Sequence, residues 1–142
     1  TTEINLHVPA RLPDSYCSDV HERLVLYKRL ASVEAADELD ALQEELIDRF
    51  GPLPEPAQAL VACHRLRLVA HPLGVTKVDA GPERSSVQFG KEPAFDTGKL
   101  ILLVQRDGRF RFAGPDRVRI EQGAPTLAER VALVRDFLGR LA

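Results

Sequence analysis

The sequence predicts an α+β fold: three N-terminal helices, a small mainly antiparallel sheet with a hairpin at 107–108, and a closing C-terminal helix. Three observations carry this. Apolar residues recur at helical spacing from about Asp19 to Ala70, then at period two from Val75 onward. Gly51-Pro52 and His71-Pro72 interrupt the helical part where helices should stop. Thr126, with Glu129 three residues on, forms a capping box that opens a last amphipathic stretch.

In order along the chain, Ile4, Leu6 and Val8 alternate with Asn5, His7 and Pro9, which reads as a short strand with Pro9 ending it near an edge. Pro13-Asp14-Ser15 is a turn. Val20, Leu24, Tyr27 and Ala31 form the apolar stripe of a first helix, about Asp19 to Ala31. Leu39, Leu42, Leu46 and Phe50 form that of a second, about Ala35 to Phe50, stopped by Gly51. A third opens at Pro54–Pro56, where a first-turn proline loses no hydrogen bond, and runs to Ala70. Its apolar residues surround much of the circumference, as in a central helix.

Val75–Val78 is then a strand, and Val87 and Phe89 mark another. The apolar run Leu100–Val104 reads as a buried strand. Asp107-Gly108 reads as a two-residue hairpin turn with positive φ at both positions. Phe110 and Phe112 then face the core, with Arg109 and Arg111 opposite. Gly114-Pro115 turns the chain into a strand in which Val118 and Ile120 alternate with Arg117 and Arg119. Leu127, Val131, Val134, Leu138 and Leu141 line the closing helix.

The length, 142 residues, suits one domain over 1–142, and 44% hydrophobic residues supply its core. No apolar run approaches the ~20 residues of a membrane span, and nothing at the N-terminus resembles a signal peptide. With only two cysteines, a cytoplasmic setting is expected. The absence of methionine predicts a domain cut from a larger multidomain protein. Net charge is −2, which excludes a uniformly basic nucleic-acid binder. The total hides a polarity: residues 1–63 carry net −7 and residues 64–142 net +5.

Catalytic and cofactor signatures are missing. Gly90-Lys91 precedes Glu92 and Gly98-Lys99 precedes Leu100, so no phosphate-binding GxxxxGK[ST] exists, and there is no GxGxxG. Cys17 and His21 have a helical ligand spacing but no second pair to complete a metal site. Cys63 and His64 are adjacent on a helix, so their side chains diverge. No GxSxG is present. The expectation is a non-enzymatic domain with no cofactor and no metal.

Two charged features are left. Glu34, Asp37, Glu38, Asp40, Glu44, Glu45 and Asp48 load the second helix with acid, opposed in it only by Arg49. Carboxylates near a helix C-terminus are disfavoured by its dipole, and a one-signed face forgoes pairing between neighbouring turns. A basic partner is the implied reason. The second feature, Arg106, Arg109, Arg111, Arg117 and Arg119, offers a basic sheet face, and a nucleic-acid-binding module is the alternative function.

The order Ile4-Asn5-Leu6, Leu12-Pro13-Asp14, Arg23-Leu24, Tyr27-Lys28-Arg29, then EELIDRFGPLP from Glu44 to Pro54, closely resembles the C-terminal regulatory (TRCF) domain of the bacterial transcription-repair coupling factor, Mfd. Gly114-Pro115 with Arg117, and Val134-Arg135 with Phe137, fit as well, whereas 80–97 matches poorly. The resemblance implies a parent DNA translocase that removes stalled RNA polymerase and recruits the excision-repair protein UvrA, using ATP and Mg in domains absent here. It implies an autoinhibitory clamp that packs on the parent's N-terminal UvrB-like module, masks the UvrA-binding surface and restrains the motor until polymerase is engaged. Carried onto this chain, the protein-binding residues are Glu45 and Asp48, with Glu44 and Asp37 beside them. The isolated domain is expected to be a monomer that binds no membrane.

Overall fold

The computed structural model describes residues 1–142 in two units: Val8–Leu68, which is helical, and Thr1–His7 with Val69–Ala142, which holds the sheet. The α+β class predicted from the sequence is what the chain adopts.

In the helical unit the chain forms α1 (Val20–Ser32), α2 (Ala36–Phe50) and α3 (Glu55–Ala70, its last two residues counted with the sheet unit). Asp19 caps α1 by accepting from the Glu22 amide at 3.1 Å. α2 ends where Gly51 takes φ +93°, a value L side chains rarely adopt, while its N–H closes the last turn on Ile47 O at 2.9 Å. Leu26, Leu30, Leu39, Leu42, Leu46, Ala57, Leu60 and Val61 fill the core, joined by Leu12 and Cys17 from the preceding loop.

The buried stripe of α1 differs from the expected one. Leu26 and Leu30 are buried, whereas Val20 is 61% and Leu24 55% exposed, and Ala31 is exposed. This helix carries two apolar stripes, and periodicity alone does not say which one meets the core. Cys17 also precedes α1, so it shares no helix face with His21.

The sheet unit contains β1 (Glu3–Asn5), β2 (Val75–Ala80), β3 (Ser85–Phe89), β4 (Phe110–Phe112) and β5 (Arg117–Ile120), in spatial order β1-β2-β3-β5-β4. β1 runs parallel to β2 and the other pairs are antiparallel. Helices α4 (Thr97–Arg106) and α5 (Leu127–Leu141) complete it. Thr126 caps α5 as expected, accepting from Glu129 N at 3.2 Å.

Two sequence expectations fail here. Leu100–Val104 is the body of α4, not a strand. Asp96 starts that helix by accepting from Gly98 N at 2.9 Å, and only Leu100 of the run is buried, with Ile101 47% and Leu102 46% exposed. A short apolar run fits strand and helix equally, and the cap decided between them. Asp107-Gly108 therefore joins a helix to a strand: Asp107 has φ −123° and Gly108 is not left-handed. The hairpin lies one step later, between β4 and β5, where Gly114 takes φ +119°. Phe110 is buried as expected, but Phe112, on the edge strand, is 50% exposed.

Arg130 is the unit's unusual core residue. It is 6% exposed and meets no carboxylate. Its guanidinium donates to Ala124 O at 2.8 Å, Leu6 O at 2.9 Å and Pro125 O at 3.1 Å, binding the start of α5 to the segment after β1. Ser85 Oγ is buried with no hydrogen-bond partner.

Candidate protein-binding site

The acidic helix is α2, and its turns sort the carboxylates by direction. At 100° per residue, Asp37, Ala41, Glu44 and Asp48 fall within one narrow ridge about 16 Å long, while Asp40 and Glu45 lie on its flanks. The flanks are neutralised within the unit. Glu45 accepts a bidentate pair from Arg29 on α1, at 2.6 and 2.8 Å, and a third contact from Arg49 at 3.2 Å. Arg49 also pairs with Glu22 of α1. On the other flank Arg65 of α3 reaches Asp40 at 2.9 Å and Gln43 at 3.2 Å. The one-signed appearance of the helix is thus corrected in part, because its counter-charges come from α1 and α3.

The ridge is different. Asp37, Glu44 and Asp48 are exposed and have no ion-pair partner within 4 Å. Asp37 accepts only from the Glu38 amide, at 3.0 Å, in the first turn, where the helix dipole favours an anion. Glu44 and Asp48 have no such compensation. Ala41 leaves the middle of the ridge open to close approach. Next to it, Arg29, Val33, Glu38, Ala41, Leu42 and Glu45 line a shallow groove of about 380 Å³.

The sequence-predicted residues therefore divide. Asp37, Glu44 and Asp48 share a face, and Glu45 stands beside it, held by arginines. Its carboxyl is pulled below the usual range chiefly by the Arg29 hydrogen bond, against an opposing effect of burial and with a smaller contribution from that cation's field. The sequence reading missed Arg29 and Arg65 as counter-charges. They lie 16 and 25 residues from Glu45 and Asp40, the carboxylates they pair with, and no periodicity links residues on different helices.

Motif residues also build the scaffold. Tyr27 Oη accepts from Leu12 N at 2.8 Å, and Arg23 donates to Cys17 O at 2.7 Å, fixing the loop before α1. Tyr16 Oη donates to Leu46 O at 3.1 Å and Gly51 O at 2.7 Å, satisfying carbonyls at the end of α2. Phe50 packs on Tyr16 with ring centroids 5.5 Å apart, as its spacing predicted. Arg67 donates to Leu30 O and Val33 O at 3.4 and 3.3 Å, closing the end of α1.

Cys63 and His64 stand side by side on α3. Burial pushes the Cys63 thiol up to about 11, and burial with the Arg67 charge pushes the His64 imidazole down. Both groups are thus neutral at pH 7, the wrong state for a thiolate–imidazolium pair. No three His, Cys, Asp or Glu side chains gather in a way that holds a metal ion. No helix is long and apolar enough to cross a membrane.

Residues 6–100 match the family model described as the TRCF domain. The chain belongs to this family. It is 39% identical over 141 residues to the transcription-repair-coupling factor of Haemophilus influenzae, covering 99% of this chain and 12% of that protein. The corresponding factor of Mycobacterium bovis is 46% identical over 147 residues, covering 98% of this chain and 12% of its own length. The chain thus spans about an eighth of these relatives. A crystal structure of the C-terminal domain of a transcription-repair coupling factor shares the fold, with a TM-score of 0.80 at 22% identity over 98% of this chain and 90% of that one.

Proposed function

We propose that this TRCF domain is a non-catalytic autoinhibitory clamp of a transcription-repair coupling DNA translocase. In this reading the α2 ridge docks on arginines of the parent's UvrB-like module, masks the UvrA-binding surface and restrains the motor until RNA polymerase is engaged. The observation that carries it is the ridge itself: three exposed carboxylates without partners, beside a Glu45 already shaped to receive guanidinium groups. Asp48 and Glu44 each take a new cation. Glu45 shares its two oxygens between its own arginines and an incoming one, since a carboxylate has about four acceptor sites.

The energetics suit a latch. Exposed ion pairs contribute about 0.2–1 kcal/mol each. Two or three hold poorly between separate molecules, but within one chain the effective concentration is about millimolar. A competing contact worth a few kcal/mol then opens the clamp.

Reversing both charges, Glu45→Arg with Asp48→Arg, in the full-length parent tests this. Loss of two pairs, about 0.4–2 kcal/mol, should raise the open fraction by about twofold to thirtyfold. UvrA binding and basal ATPase should both increase. Wild-type levels of both would remove these residues from the clamp. Asp48→Arg alone separates docking from fold stability, because Asp48 has no partner to lose within the domain.

A further inference from the structure

The sheet unit carries a charged surface that the clamp does not use. Alternation along the strands sends Val78, Val87, Val118, Ile120 and Phe110 to the core side and Ser86, Gln88, Arg117, Arg119 and Arg111 to the other. The register places Arg111 directly opposite Arg119, which faces Ser86 on its other side. Like charges directly opposite destabilise a sheet, so folding gains nothing from this pairing. Arg119 has Glu121 at 3.5 Å, while Arg84, Arg111 and Arg117 have no carboxylate within 4 Å. Arg84, Arg117 and Arg119 surround a concavity of about 180 Å³ with Ser86, where three cations outnumber the one acid, Asp79, which is hydrogen-bonded through Oδ1 to His7.

Several unpaired guanidinium groups with a nearby hydroxyl suit a tetrahedral oxyanion, which the planar guanidinium fork matches in shape and charge. We propose that this face binds the phosphodiester backbone of a nucleic-acid duplex, with one phosphate in the concavity among Arg84, Arg117 and Arg119 and a neighbouring one on Arg111. The arginines are spread over two adjacent strands and the β2–β3 loop, with strands about 4.8 Å apart, so they address a row of anions rather than one. Phe110 and Phe112 belong to the opposite face, which leaves no aromatic platform for unpaired bases and favours a duplex. Binding through phosphates alone is independent of sequence. Of the arginines suggested by the sequence, Arg111, Arg117 and Arg119 belong to this surface. Arg109 is held by Asp107 at 2.8 Å and by Gln122, and Arg106 ends α4.

Amide shifts of the isotopically labelled 142-residue chain, titrated with a 20-base-pair DNA duplex, test the proposal. Shifts should centre on β3, β5 and β4. Two phosphate contacts give a slope of about −1.8 in log K against log salt, or about 12-fold weaker binding at 200 than at 50 mM salt. Arg111→Gln with Arg117→Gln and Arg119→Gln should abolish the shifts while leaving the rest of the spectrum in place, and lysine at the same three positions should restore the salt slope. No shift below about 1 mM duplex, or shifts centred elsewhere, would overturn the proposal. So would inorganic phosphate binding as tightly as the duplex, which defines a small-oxyanion site. A poly-glutamate peptide of equal charge displacing the duplex would instead assign the face to an acidic protein, and tighter binding of a single strand would contradict the duplex geometry.

Discussion

The two units treat charge in opposite ways. The helical unit has eleven acidic and seven basic side chains, net −4, and places its ion pairs at the surface, where Arg29, Arg49 and Arg65 bracket α2. The sheet unit has ten acidic and twelve basic side chains, net +2, and buries one cation, Arg130, among backbone carbonyls. One unit uses arginine to aim carboxylates, and the other uses it to fasten the chain. The difference teaches that a residue's type says little about its energetic weight until its burial is known.

Substitution of Arg130 should give the largest effect. Arg130→Ala leaves three carbonyls short of a donor and empties a buried volume, and a cost of about 3 kcal/mol is expected from charge-assisted hydrogen bonds of this kind. Urea titration of the chain measures it, and a loss below 1 kcal/mol would mean that water replaces the guanidinium. Arg29→Ala in the helical unit should cost no more than about 1 kcal/mol, because the pair with Glu45 is exposed and screened. Its expected signature is local: the Glu45 carboxyl should titrate at higher pH once its main hydrogen-bond donor is gone, which side-chain carbon shifts would follow. The smallest effect concerns pH. Arg109, by side-chain and backbone hydrogen bonds, holds Asp107 down to about 2. A carboxyl depressed by folding stabilises above its unfolded pKa, about 3.9, and that contribution fades as pH falls towards 2. Asp107→Asn should flatten this part of the pH–stability profile, and an unchanged profile would show that the pair does not contribute to folding.

The legible part of the molecule was that in which local signals agree. α2 announced itself through its leucine spacing and Gly51, α3 through Pro56 and Pro72, and α5 through Thr126. Leu100–Val104 misled because burial and apolarity are separable: Ile101 and Leu102 are apolar yet exposed, so the run was no index of a core strand. The acidic ridge was legible as composition, since Asp37, Glu44 and Asp48 follow helical spacing. Its division into paired flanks and a bare crest was not, because Arg29 and Arg65 arrive from other helices.

The parallel pairing of β1 with β2 carries a consequence for how the chain can be divided. Glu3 is in register with Lys77, and all of 8–68 lies between them in sequence. The helical unit is therefore an insertion, and the sheet unit is discontinuous along the chain. A fragment that begins after Asn5 keeps every helix but loses β1 and the Thr2 hydroxyl that donates to Val75 O at 2.7 Å. If it also begins after Leu6, it removes the carbonyl that Arg130 grips. The first six residues, short as they are, thus set the limit at which this piece of protein can be excised without orphaning its most deeply buried cation.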